Sequence, residues 1–371
     1  MPLTGPTSAD EAFAPVKDGW LAYMQYANEQ GLLGNLKIVA SIEDDQYDPT
    51  QTPGAVSKQL GAGVQVFSGI LGSPNNLAVR DTLNQECIPQ LNNLTGLPAW
   101  GTDVKDFPWT TGERVPYTVE TRVYMQSLKE NFPSGVKVGL FYVKTDFGQT
   151  YADTLKAEGK SYGITVVSEQ TVAPDGAPPV DQVTSLAAAK PDAIVAVPLG
   201  AGCITFLKAL ADKKAQTPGW DPKVYVTNTC ASALILAVAG ATADGILTSA
   251  NYLDVSDPVN ANNTSVKAYL AYMAKLGKSD SVTTATAGWA VAEYTVAIIK
   301  HAQDMGPLTR ASIIDAARNM VYTPTLARAG VVFKMNGTTD PFVAESLQVV
   351  KWNATTKLFT DIGKLITQFE S

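Results

Sequence analysis

Short β-branched runs alternate with longer stretches of helical pattern along most of the chain. The short runs predict strands at Leu36–Glu43, Val64–Ser68, Ile88–Leu91, Lys137–Val143, Ile164–Glu169, Ala193–Val197, Lys223–Thr227 and Ile246–Ala250. Between them, helices are predicted over Ala9–Gln30, Pro74–Glu86, Val119–Asn131, Gln149–Tyr162, Val180–Ala189, Gly202–Lys214, Ser265–Leu276, Ala285–Ala302 and Arg310–Met320. Strands alternating with helices of this length predict βαβ units on parallel sheets. Such sheets carry helices on both faces, and their ligands sit beyond the carboxyl ends of the strands.

The pattern runs through twice, once up to Thr111 and again from Tyr117 to Ala250. Between the two blocks lies Phe107-Pro-Trp-Thr-Thr-Gly-Glu-Arg-Val-Pro116, whose prolines and glycine mark a link. A third block, Asn262–Met320, is mostly helical and is expected to pack back on the first. From Val331 the character changes. Val331–Lys334, Glu345–Trp352 and Lys357–Ile362 read as strands, with Asn353-Ala-Thr-Thr356 as a hairpin turn, and are expected antiparallel at the edge of the second sheet. The fold class is therefore α/β, with two doubly wound parallel-sheet lobes joined by a multi-strand hinge. One lobe is expected to hold residues 1–113 with 253–325, the other 114–252 with 326–371. The cleft of such a clamshell is the natural site.

A chain of 371 residues has room for two cores at about 150 residues per domain. A net charge of −7, with no basic run longer than a pair such as Lys213-Lys214, excludes a nucleic-acid binder. The longest apolar stretch, Ala233–Ala243, falls short of the roughly 20 residues that span a bilayer. The three cysteines, Cys87, Cys203 and Cys230, fit no zinc spacing, and His301 is the single histidine, so no metal site is expected. Cys87, at a strand start, is expected to be a buried free thiol. Gly200-Ala-Gly202 follows a strand, but Thr205 stands where a dinucleotide fingerprint needs its third glycine; Gly61-Ala-Gly63 precedes a strand instead of following one. No Gly-x-Ser-x-Gly elbow is present, and His301 reads as a helix-surface residue. Neither an enzyme nor a cofactor is expected.

Several short motifs then fall in a recognisable order. They are Pro2-Leu-Thr-Gly-Pro6, the acidic turn Asp44-Asp-Gln-Tyr-Asp-Pro49, Gly69-Ile-Leu-Gly-Ser-Pro74, Pro89-Gln90 with Thr95-Gly96, Asp146-Phe-Gly-Gln149 and Pro191-Asp-Ala-Ile194. Taken together they resemble the leucine/isoleucine/valine-binding protein family of type I periplasmic-binding folds, over nearly the whole chain. The family fold begins with a strand just before the Pro-Leu-Thr-Gly loop, where Met1 stands here. The first strand is thus apparently missing, and the natural precursor is expected to extend upstream with that strand and a secretion or lipoprotein signal.

The resemblance implies a solute-binding component of an ABC importer, extracytoplasmic and monomeric, with a permease and an ATPase as partners. Its cleft would capture a small carboxylate on hydroxyls and on backbone amides at helix starts, where orphan N–H groups favour negative charge. The family pattern points to Gly72 and Ser73 at one helix start, Ser73 also being the expected cap of a helix opening at Pro74. It points further to Leu94, Thr95 and Gly96 in the next loop, to Phe147 as a ring closing from the second lobe, and to Ala201, Gly202 and Cys203 as a close-approach loop. Trp100 and Trp109 are expected to pack against the inter-lobe link.

One departure bears on the ligand. Amino-acid binders of this family carry an acid in the loop that here reads Thr227-Asn228-Thr229-Cys230. A buried ammonium without a counter-charge is costly, so the expected solute is an aromatic or short-chain acid. A branched-chain or neutral amino acid stays open if Asp44 or Asp146 supplies the missing charge. Cys203 and Cys230 follow strands of the second lobe and are expected in adjacent loops, where a disulfide would suit an oxidising compartment. A ligand-sensing domain of a receptor or regulator is the alternative use of the same fold.

Overall fold

The computed structural model describes residues 1–4 and 9–370. Helix α1 (Ala9–Gln30) opens the chain, followed by α2 (Thr52–Gly61), β1 (Phe67–Ser68), α3 (Ser73–Gln85), β2 (Gln90–Asn93), α4 (Ala99–Thr102) and β3 (Thr110–Gly112). The three strands form a parallel sheet in the order β1-β2-β3. The second lobe contains α5 (Tyr117–Asn131), β4 (Val136–Val143), α6 (Asp146–Glu158), β5 (Ile164–Val172), α7 (Val180–Ala189), β6 (Ala193–Val197), α8 (Ala201–Ala215), β7 (Lys223–Val226), α9 (Ala233–Ala239) and β8 (Leu247–Ala250). The chain then returns to the first lobe through α10 (Thr264–Lys275), α11 (Val282–Met305), α12 (Arg310–Arg318) and the hairpin β9 (Asn319–Tyr322) with β10 (Phe333–Asn336). It ends with β11 (Leu347–Asn353) and β12 (Leu358–Ile366).

The large sheet runs β12-β11-β8-β7-β6-β4-β5, parallel from β5 to β8 and antiparallel at β11 and β12. Its inner strands are apolar on both faces because helices cover both. Every residue of Ala193–Val197 is buried, as is all of β4 except Lys137. The third block packs on the first lobe, as its pattern requires. Gly19 of α1 and Gly288 of α11 let the two helices meet backbone to backbone: a Cβ on Gly19 would stand 1.9 Å from the Ala285 carbonyl oxygen, and one on Gly288 1.8 Å from that of Val16.

Three expectations need correction. Among the described residues Leu36–Glu43 pairs with no strand, and Val39 is 93% exposed. A hollow of about 660 Å³ separates it from Val64–Ser68, and side chains take the place of a neighbouring strand: Asn28 accepts from Ile38 N–H at 2.8 Å and donates to the Ile38 carbonyl at 2.9 Å. Thr110–Gly112, read as link, is instead β3, paired in parallel with β2; three residues beside prolines are too short to show an alternation. Cys87 is exposed, not buried, because φ of +52° turns it out of the helix end while Ile88 goes into the core.

Three segments join the lobes. Glu113–Pro116 leaves the first, Asn251–Leu253 returns to it, and the chain crosses once more between β10 and β11. They brace one another near the middle. Leu253 N–H donates to the Leu326 carbonyl at 2.8 Å, Arg328 N–H to that of Asn251 at 2.9 Å, and Tyr252 forms a bridge with Ala327. The Tyr252 hydroxyl donates to the Glu113 carboxylate, tying the first crossing segment to the second. The β9–β10 pairing keeps Phe333–Asn336 beside the first-lobe helices, so the expected boundary at 325/326 falls inside this hairpin.

Candidate functional site

A cavity of about 200 Å³ lies between the two sheets' carboxyl ends, walled by both lobes and by the crossing segments. Drug-sized sites occupy about 300–1,000 Å³, so this one suits a small solute. The first lobe supplies Val16, Tyr47, Leu71, Gly72 and Leu94; the second supplies Phe147, Leu199, Asn228, Thr229 and Ala231. Arg114, Tyr117 and Tyr252 line it from the hinge.

Gly72 is a glycine for a structural reason. Its φ of +96° lies where L side chains rarely go, and a Cβ would stand 2.8 Å from the Tyr47 ring. Tyr47 itself adopts φ +53° and follows Gln46 at +51°. Two successive left-handed residues in the acidic turn direct the Tyr47 ring to the cavity wall. The turn is pinned by Asp45, whose carboxylate accepts from the Thr52 hydroxyl at 3.2 Å and the Asn75 amide at 3.3 Å.

Ser73 differs from its expected capping role. It is the first residue of α3 and caps nothing with its side chain; its hydroxyl lies 2.5 Å from that of Thr95. Thr95 in turn lies 3.1 Å from the Tyr117 hydroxyl. Ser73, Thr95 and Tyr117 thus form a hydroxyl chain in which only Tyr117 lines the cavity, Ser73 and Thr95 being buried behind it. Burial raises the Tyr117 pKa, against opposing contributions from Thr95 and Arg114. Gly96 sits behind the wall as well. It accepts the Tyr117 N–H at 2.7 Å, and a Cβ there would strike the Val115 carbonyl oxygen at 2.4 Å. Its role is to seat the first crossing segment. Trp100 is buried nearby, its ring N–H donating to the Thr95 carbonyl at 3.0 Å.

From the second lobe, Phe147 meets Tyr117 edge to face with centroids 4.9 Å apart. Asn228 is held at its backbone by Glu120, whose carboxylate accepts from Asn228 N–H at 2.7 Å and from the Tyr124 and Tyr151 hydroxyls at 2.5 Å each. The Asn228 side-chain oxygen accepts from the Arg114 guanidinium at 2.5 Å. Ala201, Gly202 and Cys203 are not among the lining residues. They form the first turn of α8. Gly202 borders a separate small hollow beside Pro198 and Gly176, and Cys203 is fully buried. Cys203 and Cys230 are joined as a disulfide, with Cα atoms 5.8 Å apart. Leu199, one turn earlier, faces the cavity instead. Asp44 is engaged by Leu3 N–H at 2.8 Å and by the Thr4 hydroxyl, and Asp146 is exposed; neither lines the cavity.

Sequence reasoning missed Tyr47, Tyr117, Leu199, Arg114 and Tyr252. Tyr47 and Arg114 stood inside segments already singled out, as a turn and as a link, yet nothing local indicated which side chain would face the gap. The lobes also touch directly, the Ser232 and Thr284 hydroxyls meeting at 2.9 Å. Among the described residues, no group of three His, Cys, Asp or Glu side chains could hold a metal ion.

Solved structures of this shape are numerous. A fatty acid ABC transporter substrate-binding protein from Thermomonospora curvata superposes with a TM-score of 0.82 at 19% identity, over 99% of this chain and 90% of that one. A branched chain amino acid ABC transporter protein from Thermus thermophilus with bound valine gives 0.85 at 17% identity, over 99% and 94%. An extracellular ligand-binding receptor from Rhodopseudomonas palustris HaA2 gives 0.78 at 22%, over 98% of both chains. At these identities the likeness establishes the fold. In sequence, the chain is 25% identical over 177 residues to Leu/Ile/Val-binding protein homolog 3 of Brucella melitensis biotype 1, covering 47% of this chain and 46% of that protein. The match therefore spans about half the length of this relative. The periplasmic binding protein family model, by contrast, matches residues 1–357. With two lobes, a braced triple crossing and a small cavity between strand ends, the chain belongs to the periplasmic binding protein family.

Proposed function

We propose that the protein is the extracytoplasmic solute-binding component of an ABC importer, which captures a small carboxylate in the inter-lobe cavity and performs no chemistry on it. The observation that carries this reading is the composition of the cavity wall, to which both lobes and the crossing segments contribute. A solute there gains contacts in the closed form that it lacks in the open one, and only that difference can shift the population toward closure. The closed, loaded form then docks on a membrane permease driven by an ATPase. The lobes divide near Glu113/Arg114 and Tyr252/Leu253, and the third crossing lies after β10.

The relatives support a carboxylate as the ligand. The similar structures include proteins described for a fatty acid and for valine, both carboxylates with apolar tails. The Cys203–Cys230 disulfide fits an oxidising compartment. The test is a thermal-shift screen of amino acids, aromatic acids and short-chain acids, with small-angle scattering on each hit. A hit should raise the melting temperature and shrink the radius of gyration. Hits that bind without compaction would count against hinge closure.

A further inference from the structure

Arg114 is set apart from the other charged groups at the cavity. It lies on the first crossing segment, half-buried, and its described hydrogen bond goes to a neutral acceptor, the Asn228 side chain of the opposite lobe. Among the described residues it makes no ion pair. It lines the cavity together with Tyr117 and Tyr252 on the hinge side, and its charge acts on the neighbouring Glu113 carboxylate. Arg328, the other cation on the wall, is already paired with Asp361 at 2.7 Å.

Two of the nearby acids, Glu120 and Glu113, are occupied or set back from the wall. Glu120 spends its carboxylate on two tyrosine hydroxyls and the Asn228 amide. Glu113 is buried behind the wall against Tyr252. Asp254 lines the cavity too, in a wall shared with a second hollow that also contains Arg328 and Asp361. One of its oxygens caps a turn, accepting from the Ser256 N–H at 2.9 Å and hydroxyl at 2.6 Å; the other is buried without a hydrogen-bond partner. The wall that Arg114 shares combines apolar and aromatic side chains, among them Leu71, Leu94, Phe147 and Leu199, with neutral polar ones such as Asn228 and Thr229.

Building on the proposed capture of a carboxylate, we infer that the ligand is a monocarboxylic acid with an apolar chain or ring and no α-ammonium group, its carboxylate seated on Arg114. A guanidinium offers a planar pair of N–H donors that matches a carboxylate, and a half-buried one with no ion pair of its own gains most from such a partner. An α-ammonium would lie within about two bond lengths of that carboxylate, beside a fixed positive charge and among apolar side chains. Desolvating it beside that fixed charge is costly.

The test compares matched probes by isothermal titration calorimetry. 4-Methylpentanoate and 3-phenylpropanoate are paired with leucine and phenylalanine, which add only the ammonium group, and with 4-methylpentanamide, which removes only the charge. The acids should bind, the amino acids about 10-fold or more weaker, and the amide about 10- to 100-fold weaker than its acid. Arg114→Gln should erase the preference for acid over amide, and Arg114→Lys should restore part of it. Unliganded melting temperatures of both variants establish that they are folded. Leucine binding as tightly as 4-methylpentanoate, above all if Asp254→Asn then abolished it, would overturn the inference and leave the capture of a small carboxylate standing. So would acid binding indifferent to Arg114→Gln. If no carboxylate of either kind bound, the broader reading would fall with it.

Discussion

Replacing Gly72 with alanine tests how the site is built, because backbone and side-chain costs can be separated there. The residue has φ +96° and ψ 136°, a region that non-glycine residues occupy at a cost of about 1–3 kcal/mol. The new Cβ would also lie 2.8 Å from Cε2 of Tyr47 and 2.9 Å from the Asn75 side-chain oxygen. Neither neighbour yields easily: Tyr47 is buried and held in a left-handed turn, and Asn75 is fully buried with its amide on Asp45 and Thr52. Crowding of this kind adds about 1 kcal/mol or more, giving roughly 2–4 kcal/mol in total. At about 2–4 °C per kcal/mol for a chain of this class, the melting temperature should fall by roughly 4–15 °C in calorimetry. The Tyr47 ring would be pushed toward the cavity, so ligand affinity should fall as well. Gly202→Ala is the matched control. Its nearest neighbour would be Pro198 at 3.6 Å, it has an ordinary φ, and it lies off the cavity wall. The change there should stay within about 1 kcal/mol, with affinity unaltered. Equal melting temperatures for Gly72→Ala and the parent, or a Gly202→Ala variant that loses its ligand, would refute this account.

Three further outcomes are expected. The Cys203–Cys230 disulfide closes a loop with a sequence separation of 27, and loop-closure entropy assigns such a crosslink about 3.5 kcal/mol; reduction, or the double serine variant, should lower the urea midpoint accordingly, and an unchanged midpoint would contradict it. Burial raises the Glu113 pKa above the ordinary 4.5, with Arg114 and the Tyr252 hydroxyl pulling the other way. Such a group stabilises the fold below about pH 4.5, and that contribution is lost as pH rises through the folded value. The stability of the parent minus that of Glu113→Gln should therefore decline from about pH 4.5 upward, and a rising or flat difference would exclude the assignment. Finally, the Ser232–Thr284 contact joins the lobes directly. Ser232→Ala should weaken ligand binding about 2- to 10-fold, the equivalent of one hydrogen bond, without changing the unliganded melting temperature; unaltered affinity would show that the contact does not favour closure.

Much of the fold was legible because the second lobe follows simple rules over long stretches. β4, β6 and the helices between them have enough residues for their periods to show, and burial on both faces leaves an unbroken apolar run. The first lobe was harder. β1 has two residues and β3 three, and Leu36–Glu43 carries a strand pattern that its surroundings leave unpaired. A strand is defined by its neighbour as much as by its own side chains, so composition alone could not separate these cases. The tail gave the opposite result: the turn at Asn353–Thr356 sets the register of β11 and β12, and it is local.

The site divides along the same line. Gly72, Leu94, Phe147 and Asn228, to which the family resemblance pointed, line the cavity. Ser73, Thr95 and Gly96 came from the same loops yet lie one layer behind, where they hold Tyr117. Loop membership does not tell which side chain faces the gap. Arg114 could not be found this way at all. It lies in a crossing segment without periodicity, and its partner Asn228 comes from 114 residues further along, in the other lobe. The same absence of local order gives the crossing segment its place in the mechanism. A hinge residue that touches both the cavity and the far lobe changes its surroundings whenever the lobes move, whereas a residue set deep in either sheet does not. A charge placed there is sensed most strongly in the closed form, and binding energy becomes closure only through groups that differ between the two states.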